Sequence, residues 1–345
     1  MVRIRLPRFS IRAGTLGFSL GTAAIFGIAL FFAVGELGFT RIGNEVASVG
    51  LGLPSIMLVH VGQLAFCSFA WSSLFNGMRE PKFSRLLALR WIRESIDGLL
   101  PVAHVGGEIV ASRLLTINAI PLPVAGASII ADVTIETLTQ AVFTLVGLAL
   151  IFVLANPGDI AHWAVLGFAI ALLLAGIVVF VQRWGGIRMF EKMLLAIADR
   201  LGWNRLEGVA GLDVALSQVY QTRGKLFLSA LHHLAAWSLG AGEVMIAAWA
   251  LGYHLNLGQS LVIESLAQAI RSAAFFVPGA VGIQEGGVVV LAGLFGVPPD
   301  AALSISLTKR VRELALGLPG LAAWQWQELR LRQNRRMVEM DIKVL

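Results

Sequence analysis

The chain has 345 residues, 57% of them hydrophobic and 14% charged, with a formal net charge of +6. Soluble domains carry about 25% charged residues, so this composition excludes an ordinary soluble enzyme and identifies an integral membrane protein. The Lys and Arg residues stand in blocks between apolar runs, which is the positive-inside pattern and not a nucleic-acid-binding patch.

Arg3, Arg5, Arg8 and Arg12 precede an apolar run from Ala13 to Val34. That run exceeds the h-region of a cleaved signal peptide, so it reads as a first membrane helix with a cytoplasmic N-terminus. Further crossings are expected at 52–75, 122–154, 160–182, 226–252 and 300–326, after the first at 13–35. The basic stretches 1–12, 76–97, 183–225 and 327–345 then share one side of the membrane. The opposite loops carry only Arg41 in 36–51, and no Lys or Arg in 155–159 or 253–258. Six crossings with both termini in the cytoplasm satisfy this asymmetry. Segments 83–97 and 187–222 read as amphipathic helices on the cytoplasmic surface, and 327–345 as a basic tail. Trp71, Trp91, Trp163, Trp184, Trp324 and Trp326 fall near helix ends, where indoles favour the interface.

A pattern occurs twice, 177 positions apart. It pairs Pro101 with Pro278, Glu108 with Glu285, Pro121 with Pro298 and Glu136 with Glu313. Both copies place a helix breaker in an apolar stretch, with a carboxylate seven residues later. The regions 98–118 and 260–297 fit as re-entrant helical hairpins rather than as full crossings. Three crossings separate them, so the halves, about 76–182 and 226–326, have opposite orientation. The expected fold is all-α: about six crossing helices plus two re-entrant hairpins in an inverted repeat. Paired interrupted segments of this kind are a sequence pointer to a transport site.

Charged groups at membrane depth cost at least ~2.5–3.5 kcal/mol each at a helix centre and are kept for pairing or for function. Glu108, Arg113, Asp132, Glu136, Glu243, Glu264, Arg271, Glu285, Lys309, Arg310, Arg312 and Glu313 all lie there. For Glu243 and Glu264, which stand outside the repeat, structural pairing is the expectation, with Glu264 near the outer surface. Asp132 and Glu136 share a helix face and repel each other unless a cation intervenes. Lys309, Arg310 or Arg312 is the expected partner, giving a central ionic cluster that is either a lock or a switch. Glu108 and Glu285 each begin a half-helix, whose N-terminal N–H groups favour negative charge. Beside them, Pro101, Gly106 and Gly107, with Pro278, Gly279 and Gly282, leave backbone bare for close approach by a head group. These residues, with Asp132, Glu136, Arg113, Arg271, Lys309, Arg310, Arg312 and Glu313, form the candidate substrate-binding set.

Adjacent His232 and His233 point about 100° apart and do not form a helical metal pair. Cys67 is the sole cysteine, so neither an intrachain disulfide nor a cysteine metal cluster is expected. The chain carries no nucleotide fingerprint and no recognisable catalytic constellation, and no cofactor is expected.

Leu100-Pro101 through Glu108, and Val277 through Gly286, resemble the paired signatures of the flippase-like family named after the transmembrane region of lysylphosphatidylglycerol synthase. Ala280 stands where that motif often has a second glycine, which leaves less room at the turn. Pro298 to Ala302, followed by Lys309 to Glu313, looks most like the subgroup associated with hopanoid biosynthesis. The resemblance implies a bacterial inner-membrane protein that moves or handles lipids. It also implies that the soluble aminoacyl-transfer domain of larger relatives is missing here. The expected function is a flippase-like translocator of a hopanoid-pathway lipid. The rivals are an intramembrane lipid-modifying enzyme using Asp132 and Glu136 as acid and base, and a scaffold for lipid-synthesis enzymes. Expected partners are membrane lipids, hopanoid or phospholipid, with lipid-synthesis enzymes second and no nucleic acid; the oligomeric state stays open.

Overall fold

The computed structural model describes residues 47–75, 80–100, 106–117, 120–154, 211–274, 280 and 282–344, with side chains to 330 except at 213. The expected crossings at 13–35 and 160–182, and most of the segment 187–222, lie outside the described residues. So do Pro101, Pro278 and Gly279.

All regular structure among the described residues is helical. The helices are α1 (Gly52–Ser73), α2 (Phe83–Leu99), α3 (Gly106–Ile117), α4 (Leu122–Leu154), α5 (Leu212–Gln221), α6 (Arg223–Ala250), α7 (Leu257–Ala273), α8 (Ile283–Gly293) and α9 (Pro299–Val344). Helices α1 and α4 are long and apolar enough to cross a bilayer. Their outward positions are apolar as lipid contact requires, with Leu58, Phe69, Val142, Leu145, Val146 and Phe152 all exposed.

Helices α3 and α8 have 12 and 11 residues. At 1.5 Å per residue they span under ~20 Å, too short for a ~30 Å hydrocarbon core. Each follows a break and packs on the helix before it, so α2–α3 and α7–α8 are helical hairpins. The second hairpin, from Leu257 to Gly293, overlaps the expected 260–297 and starts three residues before it. The first is larger than 98–118, because its leading arm is α2 itself.

That corrects the reading of 83–97 as a surface helix. Leu86, Leu89, Ile92 and Ile96 of α2 pack in a core with Trp71, Phe75, Leu114, Ile129 and Trp324. Arg90 and Arg93 on the same helix are buried too. The polar face that the sequence shows is turned onto ions rather than onto water. Trp71 and Trp324 are likewise core residues and not interface anchors; the Trp71 Nε1–H donates to Ser128 Oγ at 3.2 Å. Trp326 is exposed, with the Arg330 guanidinium over its ring. The stretch read as a tail continues the backbone of α9 to Val344.

The two hairpin-bearing halves match element by element. Helices α3 and α8 begin at Gly106 and Ile283, and α4 and α9 at Leu122 and Pro299, each pair 177 positions apart. Helices α1 and α6 end at Ser73 and Ala250, again 177 apart. Packing exchanges in the same way. Helix α4 lies against α7, and α9 against α2, while α1 and α6 lie against each other. Gly52 meets Ala250, and His60 meets Glu243, so α1 and α6 run antiparallel.

Small residues set the crossings. A Cβ built on Gly147 of α4 would strike Ser265 of α7, and one on Gly320 of α9 would strike Ser95 of α2. These notches let the helices approach closely where apolar burial gives no drive, as membrane packing requires.

Candidate functional site

Two buried ionic clusters lie beside the two hairpins. The first is built by α2, α3, α4 and α6. Arg93 reaches three carboxylates: Nε is 3.0 Å from Glu108 Oε1, Nη1 is 2.5 Å from Asp132 Oδ2, and Nη2 is 3.2 Å from Glu136 Oε2. Arg90 clamps Glu136 with both terminal nitrogens, at 2.9 and 2.5 Å, and lies 3.4 Å from Asp132 Oδ2. His233 Nε2 lies 3.1 Å from the other Asp132 oxygen. Asp132 is wholly buried, so only these partners make its charge tenable.

The second cluster is built by α6, α7, α8 and α9. The Arg310 Nε–H donates to Glu285 Oε1 at 2.8 Å, and its Nη1 to Glu313 Oε2 at 3.0 Å. Arg271 also bonds Glu313, and its Nη1 lies 3.4 Å from Gln284 Oε1. Lys309 Nζ is 2.5 Å from Glu264 Oε2 and 3.9 Å from Glu243 Oε2. Arg312 Nη1 is 3.5 Å from Glu243 Oε1 and Nη2 is 3.9 Å from Glu313 Oε1.

Both half-helices carry a buried glutamate in the first turn, Glu108 on α3 and Glu285 on α8. Glu285 Oε2 also accepts the Gly282 N–H at 2.7 Å, which caps the helix. Gly282 has a φ of +80° and Ala280 one of +49°, so the chain enters α8 through left-handed backbone. Glycine reaches that region freely; Ala280 does so against its Cβ. At the other hairpin the space left bare by Gly107 is filled by α2. Its N–H donates to Asp97 Oδ1 at 2.9 Å, and any Cβ there would collide with Asp97 and the Arg93 carbonyl.

The expected pairing of Asp132 and Glu136 with Lys309, Arg310 or Arg312 does not form. Each half supplies its own counter-charges: Arg90 and Arg93 in the first, Arg271 and the α9 cations in the second. Arg113 stands apart from both clusters and bonds Glu328 at 2.9 Å. Glu264 is buried and pairs with Lys309, in line with the pairing expected of it. His60, Arg90, Arg93, Glu94, Asp97 and His233 were not among the candidates. The spacing of Arg90, Arg93, Glu94 and Asp97 marks one polar face of a helix. Its position just before a break, as α7 precedes the break near Pro278, was the available signal.

The clusters are related with reversed charge. Helices α2 and α7 begin 174 positions apart, at Phe83 and Leu257. That spacing sets Arg90 against Glu264, while Asp132 and Lys309 are 177 apart. A cation on the hairpin arm and an anion on the long helix in one half become anion and cation in the other.

Cys67, Glu136 and His233 bring possible ligand atoms within 4.8 Å of one another. Both Glu136 oxygens are already taken by Arg90 and Arg93, and two guanidiniums beside the site oppose a metal cation. The arrangement reads as hydrogen bonding around a buried histidine.

Residues 18–320 match the family model described as the lysylphosphatidylglycerol synthase TM region. The chain belongs to this family. Membership and the apolar helices α1 and α4 together make it a membrane protein related to lipid handling. No curated protein and no solved structure matches the chain.

Proposed function

We propose that the protein is a flippase-like lipid translocator, and that its two halves form an inverted repeat whose hairpins re-enter the membrane from opposite sides. One observation carries the reading: each half presents a short helix, entered through a break, with a buried first-turn glutamate held by an arginine. Broken helices converging at membrane depth are how transporters build a polar site in lipid. The antiparallel contact of the matching helices α1 and α6 supports the inversion, since repeats related by an axis along the membrane normal would run parallel.

The site is the pair of clusters around Glu108 and Glu285, with a polar head entering while the tails stay in the bilayer. Each cation of the clusters lies against a carboxylate, so an arriving head group replaces an internal partner. An amine or polyol would compete for Glu108, Glu285, Asp132 or Glu136; a phosphate would compete for Arg271, Lys309, Arg310 or Arg312. A hopanoid-pathway lipid is the proposed cargo on the resemblance of Pro298 to Glu313 to that subgroup. The proposed setting is the bacterial inner membrane, with both termini in the cytoplasm. The rival in which Asp132 and Glu136 act as acid and base fits less well, because two arginines hold both carboxylates.

Reconstituted vesicles bearing a fluorescent lipid in one leaflet test the reading. Glu108→Gln and Glu285→Gln should each slow transfer. The fold should survive, because Arg93 keeps Asp132 and Glu136 while Arg310 keeps Glu313. Unchanged transfer in both variants removes the site.

A further inference from the structure

His60 on α1 is buried and faces groups of opposite polarity. Its Nε2 lies 2.7 Å from Glu94 Oε1 on α2, and its Nδ1 lies 3.1 Å from Glu243 Oε1 on α6. Arg312 Nη1 on α9 contacts the same Nδ1. Around them, Glu243 accepts from Gln63 at 3.0 Å and lies near Lys309, which is bound to Glu264 of α7, while Arg312 also approaches Glu313.

Nδ1 cannot satisfy both of its neighbours at once. A doubly protonated ring donates to Glu94 and to Glu243, and repels Arg312. A neutral ring still donates from Nε2 to Glu94, but its Nδ1 lone pair then accepts from Arg312 and repels Glu243. One proton therefore selects the partner. Access is one-sided: the Glu94 side chain is 40% exposed, whereas that of Glu243 is 1% exposed. The position matters as well. His60 and Glu94 belong to the first half, Glu243 and Arg312 to the second, so the choice of partner is made across the boundary between halves.

We propose that His60 is a proton-binding site, reached through Glu94, whose proton switches Nδ1 between Arg312 and Glu243 and so couples lipid movement to proton movement. The coupling rests on the translocator reading; the proton site does not.

Two measurements on the full chain separate them. In the first, the purified protein with ring-15N-labelled histidine is titrated by NMR between about pH 5 and 9, the range a histidine switch uses. One signal, absent in His60→Gln, should pass between doubly protonated and neutral forms. In Glu94→Gln the midpoint of that transition should move, since a neighbouring charge has been removed. In the second, vesicles of phosphatidylcholine with a fluorescent phosphatidylglycerol probe are given a pH gradient. Wild-type transfer should change with the sign of the gradient, and that of His60→Gln should not; His60→Asn serves in its place should that variant fail to fold. A His60 signal fixed across the range overturns the proton site. Lipid transfer indifferent to the gradient overturns the coupling. A wild-type protein that titrates at His60 but moves no probe removes the translocator reading and keeps the proton site.

Discussion

Arg93 does the most of any single side chain, because one guanidinium neutralises carboxylates from both α3 and α4. Asp132 has no exposure to solvent, and its closest contact is Arg93 Nη1. Removing one partner of a buried pair leaves an uncompensated charge, at a cost of about 3–5 kcal/mol. Arg93→Ala should therefore lower the thermal unfolding temperature in detergent substantially. Arg113→Ala should lower it less, since the Arg113 side chain is 28% exposed and partly solvated. Equal melting temperatures for the two variants would contradict the ranking. The Glu264–Lys309 pair makes a related test. Lys309→Met alone should destabilise, while Lys309→Met with Glu264→Leu should recover most of the loss, because a matched apolar pair often replaces a buried ion pair at little cost. If that double variant melts like the wild type yet no longer moves lipid, the pair is a switch; if both properties persist, it is a lock.

Between elements, stability depends on how closely long helices approach. Gly147 against Ser265 and Gly320 against Ser95 are the contacts where α4 meets α7 and α9 meets α2. Adding bulk to a packed contact costs about 1–3 kcal/mol. Gly147→Val and Gly320→Val should each reduce stability by that order, seen as a shift in melting temperature. Ser265→Gly should rescue the first, because the added carbon then meets only the Leu261 carbonyl at 3.6 Å, and Ser95→Gly should rescue the second in part, because Trp91 Nε1 stays 3.1 Å from the added carbon. Rescue by the wrong serine, or by neither, would place these helices in a different register. The same scale explains why α2 is buried. Its arginines meet carboxylates only because α9 and α4 bring an apolar wall and an acidic face to either side of it.

At the scale of the molecule, the inverted arrangement makes a geometric claim that labelling can decide. Glu80 lies in the connection between α1 and α2, and His254 in the matching connection between α6 and α7; both are exposed. If the halves are inverted, these connections open to opposite sides of the membrane. In a Cys67→Ala background, Glu80→Cys and His254→Cys should react with an impermeant thiol reagent from opposite faces of sealed membranes. Reaction from the same face would rule the inversion out and leave the hairpins entering together. Alternating exposure of a site between halves follows from the inverted arrangement and not from the parallel one.

The amino-acid sequence determined the membrane class, because few-charge apolar runs of bilayer length have no other stable place. It determined the two interrupted segments as well, since proline and glycine fall together there inside an apolar run, and with them the places of Glu108 and Glu285 at half-helix starts. It did not determine which charges meet. In water an amphipathic period tells inside from outside, but in lipid both the core and the surroundings are apolar, and a polar face such as that of α2 marks only a place where some partner must be. Arg90 and Arg93 could answer to water, to head groups or to Asp132 and Glu136, and the folded chain pairs them with the last. His60 was invisible for the same reason. Its meaning comes from Glu94, Glu243 and Arg312, far apart in the chain and brought to one ring only by the antiparallel packing of α1 and α6 and the approach of α9.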